Sequence, residues 1–172
     1  MSRQILITSC CIVFSAMEVQ YKPGRYMNTK GSARTMSQFS LVHASEGKFT
    51  RPQRPTDPIN LMSGGHGQKG IHLLDKYGIA YNIEKIYPNG VRVGNIPDHK
   101  DRRKRHGLNQ SWFPASWSEK TIKRAAEHVA QLHRNRNVPD GQIMYGTFKG
   151  VRVGVIKTNG QIATAFPDSN QP

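Results

Sequence analysis

Hydrophobic positions in this chain fall into short runs with changing period rather than into long stripes. From Ile79 to Ile86 (IAYNIEKI) apolar and polar residues alternate, Pro88-Asn89-Gly90 supplies turn residues, and Val91 to Ile96 alternates again, which predicts a β-hairpin. Just upstream, Ile71 and Leu74 share one face of a short helical segment that Gly78 closes. The clearest helix lies further on, where Ile122, Ala125, Ala126, Val129 and Leu132 form a stripe and Ser116 and Glu119 stand at capping-box spacing. Its other face carries Lys120, Lys123, Arg124 and His128, the pattern of a solvated surface. Strands are then expected over Ile143 to Tyr145, Val151 to Ile156 and Ile162 to Phe166, with a turn at Thr158-Asn159-Gly160. Helices and hairpins in this order give an α+β class.

One sequence pattern occurs twice. Residues 90–96 read GVRVGNI and residues 150–156 read GVRVGVI, each after a strand-like stretch. Two similar hairpins would make two small sheets related by a pseudo-repeat, although strand residues this common also coincide by chance.

The first third of the chain is patterned differently. Tyr21 to Asp57 is rich in Gly, Ser, Thr, Lys, Arg and Pro with little periodicity, and reads as an extended linker. Residues 1–57 are therefore assigned to a variable leader and linker, and residues 58–170 to one domain. The apolar run Ile5 to Ala16 is too short to span a bilayer and leaves a buried strand, an unstructured leader and a signal peptide all open. Cys10 and Cys11 are adjacent, poorly placed for a disulfide or a metal site.

Charge narrows the partner. Lys and Arg number 25 against 11 Asp and Glu, a formal charge of +14. Such an excess points to phosphate, and first to nucleic acid, with an anionic lipid surface or simple solubility as the blander readings. The densest cluster is His99 to His106 (HKDRRKRH), five cations among eight residues. It would steer a polyanion, or stand as a solvated loop. Beside it, Asn109-Gln110-Ser111-Trp112-Phe113-Pro114 mixes amide, hydroxyl and aromatic groups that can hold a base, though Trp112 and Phe113 equally suit a core.

Cleavage of RNA without a metal requires a base for the 2′-hydroxyl, an acid for the leaving oxygen and fixed positive charge at phosphorus. Two imidazoles and a lysine fill those roles. Seven histidines make their mere presence uninformative. His66 stands out because Gly64, Gly65 and Gly67 let the backbone approach a ligand just before a helix start. An exposed histidine in a glycine-rich turn is the plainer account.

Four pieces in order, Ser63-Gly64-Gly65-His66-Gly67, the basic segment, QSWFPASWS (110–118) and NGQIATAFP (159–167), resemble the bacterial EndoU nuclease family over about Ile59 to Asp168. The resemblance implies two small antiparallel sheets with flanking helices and a cleft between them. It also implies cutting of RNA to a 2′,3′-cyclic phosphate, with no cofactor required and manganese stimulation allowed. Relatives include the coronavirus and animal uridylate-specific endoribonucleases, whose site combines two histidines, a lysine and hydroxyl-bearing residues.

Carried over by position, the resemblance makes His66 a catalytic histidine, Ser111 a base-contacting serine, Thr164 the late hydroxyl and Phe166 the aromatic beside the last proline. Phe166 lacks the phenol common there in the viral enzymes. The family lysine corresponds to Lys104 or Lys100, with Lys104 favoured; Trp112 is a further substrate contact. The other family histidine normally stands a short way before the second, and this chain has none there. His43, twenty-three residues before His66, or His99 are the substitutes, unless one histidine acts with water or lysine. Family context further implies a monomeric toxin delivered into a recipient cytoplasm, an RNA target such as tRNA, a cognate immunity protein and no membrane partner. Two alternatives remain: a non-catalytic RNA-binding module of the same fold, and a domain that binds an acidic protein.

Overall fold

The computed structural model describes residues 35–172. Helix α1 spans Gln38–Ser45, strands β1 and β2 span Lys48–Phe49 and Leu61–Ser63, and α2 spans Gln68–Lys76. Then follow β3 (Asn82–Ile86), β4 (Arg92–Asn95), β5 (Gln110–Trp112), α3 (Glu119–Gln131), β6 (Ile143–Phe148), β7 (Val151–Thr158) and β8 (Gln161–Pro167). The sheets are all antiparallel: the three-stranded β3-β4-β5 and β6-β7-β8, and a two-stranded ribbon β1-β2 that adds to the two sheets expected. The α+β class holds.

The two GVRVGxI segments become β4 and β7, each the middle strand of its sheet. A middle strand is hydrogen-bonded on both edges, and all of β4 and most of β7 are buried. The predicted β3-β4 turn forms, with Gly90 N donating to Tyr87 O. The β7-β8 turn places Asn159 and Gly160 at φ 53° and 71°, the geometry a two-residue hairpin selects.

Two apolar clusters share the β3-β4-β5 sheet. Successive residues on a strand face opposite ways. Thus Phe113, just past β5, joins Val91, Val93, α1, α3 and the β6-β7-β8 sheet in the larger cluster. Its neighbour Trp112 joins Leu61, Ile71, Leu74, Ile79 and Ile96 in the smaller one. Helix α3 lies across β6, β7 and β8 and buries Ile122, Ala125, Ala126, Val129 and Ala130. Its N-cap is Ser118, whose hydroxyl accepts from Thr121 N, not the expected Ser116. Ser116 and Glu119 have the right spacing, but the helix begins at Glu119 itself, so the cap must fall at the residue before it.

The linker expected over Tyr21 to Asp57 gives way, in its described part, to folded structure. Met36 pairs with Ile162 and donates its amide to Glu127; Leu41 and Ala44 of α1 enter the larger cluster. Eight residues make a marginal helix in water, whereas each large apolar side chain buried contributes about 2 kcal/mol, so docking and not local propensity forms α1. Residues 50–60 keep the expected irregular path. The apolar run Ile5 to Ala16 and the cysteine pair lie outside the described residues. Among the described residues, no helix is long and apolar enough to cross a membrane.

Trp112 has no exposed surface. Trp112→Ala should therefore lower the unfolding free energy by about 3–5 kcal/mol in urea titration; a loss below about 1 kcal/mol would mean that the indole is not a core residue.

Candidate active site

The site begins with a backbone contact. After β2, residues 64–67 run along the C-terminal end of α1, where helix carbonyls have no partner of their own. Gly65, His66 and Gly67 amides donate to the carbonyls of His43, Ala44 and Ser45 at 3.2, 2.7 and 2.9 Å. Gly64 sits at φ +72°, and a Cβ there would lie 2.0 Å from the His43 carbonyl oxygen. The glycines thus serve the approach of two backbones, rather than the approach to a ligand that the motif suggested. The consequence is that His43 and His66, twenty-three residues apart, face one cleft.

His66 is held on three sides. Its amide is bound to α1, its carbonyl accepts from Phe113 N at 2.8 Å, and its Nδ1 lies 2.7 Å from the Ser111 carbonyl oxygen. A carbonyl only accepts, so Nδ1 carries the proton and Nε2 is the unprotonated nitrogen of the neutral ring. Burial first, and then the Lys104 cation, hold its pKa well below the usual histidine value, against the opposing hydrogen bond to Ser111. His43 is less enclosed; burial, then Lys104 and Lys48, lower its pKa too.

The basic segment supplies the ammonium. A single 3-10 turn over Arg102–Arg105 is pinned by Lys104 O, which accepts from Ile96 N, and turns the Lys104 side chain inward. Lys104 Nζ donates to Gln110 Oε1 at 2.8 Å, and Gln110 Nε2 donates to Gly64 O at 3.3 Å, joining the lysine to the histidine loop. Burial pulls the Lys104 pKa down to about 8. Arg103, also at the cleft, makes a two-point pair with Asp101, whose carboxyl it holds at about 2.

The opposite wall comes from the β6-β7-β8 sheet. Ser111 Oγ donates to Pro167 O at 2.6 Å, tying β5 to the end of β8. Thr164 and Phe166 line the cleft from β8, and the Phe166 ring lies 5.7 Å from that of His66. Gly154 makes room for that ring, since a Cβ there would meet it at 2.7 Å. The cleft is open on one side and has a volume of about 470 Å³.

The structure therefore gathers His43, His66, Lys104, Ser111, Thr164 and Phe166 around one cavity. Three expected residues lie elsewhere. Trp112 is in the smaller core, because β5 turns Ser111 to the cleft and its neighbour away. Lys100 is exposed, with its amide committed to Leu61 O, and it does not line the cleft. His99 is fully buried outside the cleft; its Nδ1 accepts from Asp101 N, and burial lowers its pKa to about 4. Its ring and carbonyl hydrogen bonds stay within the basic segment, the carbonyl accepting from Arg105 Nε at 2.7 Å. Sequence reasoning did not single out Gln110 as the partner of Lys104, Arg103 as a cleft residue, or Gly154. The second GVRVGxI match did mark Gly154, but as a repeat position rather than as space for a ring.

Two imidazoles, one with a fixed tautomer, and a desolvated ammonium in a cleft rich in hydroxyl groups form an acid–base site suited to a phosphodiester. The chain belongs to the bacterial EndoU nuclease family, whose model matches residues 41–169. That match takes in α1 from Leu41 onward, and so His43 as well as His66. No curated protein matches the chain, and no solved structure does.

Gly64→Ala should cost about 1–3 kcal/mol in stability and speed the exchange of the Gly65 and His66 amides, as followed by hydrogen exchange. Unchanged exchange would refute the role given to this contact. Since the Lys104 cation disfavours imidazolium at both histidines, Lys104→Gln should move both titrations upward, while burial keeps them below the usual value. Histidine proton resonances followed against pH check the sign.

Proposed function

We propose that this nuclease is an endoribonuclease that cuts by 2′-hydroxyl attack, leaving a 2′,3′-cyclic phosphate. The observation that carries the reading is the convergence of His43, His66 and Lys104 on one cleft, with the proton of His66 assigned to Nδ1. His66 Nε2 takes the proton of the 2′-hydroxyl, whose oxygen forms the new bond to phosphorus. The bond from phosphorus to the 5′-oxygen breaks, and His43 in its imidazolium form gives that oxygen a proton. Lys104 balances the charge on the non-bridging oxygens at the crowded phosphorus. Ser111, Thr164 and Phe166 hold the nucleoside. His99 is not assigned to proton transfer, because its ring is enclosed away from the cleft.

Manganese stimulation fits this donor set poorly. The cleft offers one carboxylate, Asp101, and Arg103 already occupies both of its oxygens. No step is routed through a metal. The alternative of a non-catalytic RNA-binding module drew its support from a missing second histidine, and His43 at the cleft favours the catalytic reading.

At the level of the organism, we read the chain as a monomeric toxin that acts on RNA, with tRNA as the leading target, in a recipient cytoplasm. A cognate immunity protein with an acidic face would cover the cleft. The formal charge of +14 and the family membership support this reading.

The test is to incubate the chain and its His66→Ala variant with total bacterial RNA, with EDTA and separately with manganese, and to map fragment ends. Cyclic-phosphate ends in EDTA are expected, reduced at least about 100-fold in the variant. RNA left intact by the unaltered chain under both conditions would refute the reading.

A further inference from the structure

The two walls of the cleft have opposite chemistry. Lys104 and Arg103 stand on one. On the other, Ile143 and Ile156 are Cα partners across β6 and β7, and Ile156 partners Thr164 across β7 and β8. The three form one row across the sheet, and all three line the cleft. The Phe166 ring converges on the same place: a Cβ at Gly154 would lie 2.7 Å from that ring and 3.2 Å from Ile143 Cγ2. Ile143, the first residue of the edge strand β6, is 42% exposed. A large apolar side chain left open inside a concavity, beside a few polar groups, marks a surface that a ligand covers.

We propose that Ile143 and Ile156 extend the Phe166 ring into a platform on which a nucleobase of the bound strand lies flat. The proposal rests on the RNA reading above and deepens it by assigning the base-side wall. An isoleucine side chain has neither donor nor acceptor, so the platform grips a base by its face and not by its edges. Every base has such a face, and this contact therefore adds affinity without choosing among bases. It also sets how the strand enters, with phosphates toward Lys104 and Arg103 and one base toward β6 and β7.

Binding separates this idea from the cleavage reading. A short 2′-O-methyl oligoribonucleotide, which lacks the attacking hydroxyl, is titrated by fluorescence anisotropy against the full chain, beside a chain of equal length made of abasic 2′-O-methyl ribose. The unaltered protein should prefer the base-bearing strand by about tenfold. Ile143→Ser should reduce that preference to about threefold or less while leaving affinity for the abasic strand unchanged, and Ile143→Leu should restore it. Ile156→Ser tests the same wall from the next strand if the first variant does not fold. Equal weakening of both strands, an unaltered ratio, or no preference in the unaltered protein would overturn the platform. Cleavage of unmodified RNA is followed in parallel, and its absence would count against the endoribonuclease while the binding comparison still decides the platform.

Discussion

Three backbone hydrogen bonds hold this site together, those from residues 65–67 to the last carbonyls of α1. They satisfy donors and acceptors that would otherwise be left unpaired at a helix end, so they are costly to lose. They also fix where two imidazoles sit relative to each other. Phe113 fixes the loop from the other side, its amide donating to His66 O while its side chain anchors in the larger core. The histidine loop is thus clamped between a helix and a sheet that meet nowhere near each other in sequence.

Electrostatics follow from that clamp. Enclosing His66 and Lys104 within one small cleft penalises both charged forms, and the Lys104 cation adds to that cost at His66. The ammonium at about 8 still carries its proton near neutrality, while His66 stays neutral. A single arrangement thereby yields one cation, supported by the nearby Asp101 carboxylate, and one neutral imidazole. The one acidic group in the cleft, Asp101, is spent on Arg103 and on the amide of that same residue.

What was legible in the sequence was whatever local chemistry determines. Alternation over 79–96, the stripe Ile122 to Leu132, and the turn at Asn159-Gly160 each report a short stretch of backbone, and each formed near its expected place. His66, Ser111, Thr164 and Phe166 were legible through the order of their motifs. Helix α1 was not, because Leu41 and Ala44 give it too little apolar surface for periodicity to register, and the elements it packs on, α3 and β8, lie far along the chain. Losing α1 from view meant misplacing His43 in a linker. Trp112 and His99 stayed ambiguous for the converse reason: their residue types suit ligand contact as well as burial, and only the facing of β5 and the fold of the basic segment show them enclosed.

One consequence concerns the short helix itself. Its eight residues bring the His43 imidazole to a cavity whose other walls come from the basic segment and the two three-stranded sheets. Partial openings of native proteins take the least anchored element first. A transient undocking of α1 would carry His43 away and release the backbone that aims His66, while both three-stranded sheets stay paired. The completeness of the cleft therefore rests on the docking of α1, and a chain with its sheets paired but α1 undocked would lack one of the two imidazoles.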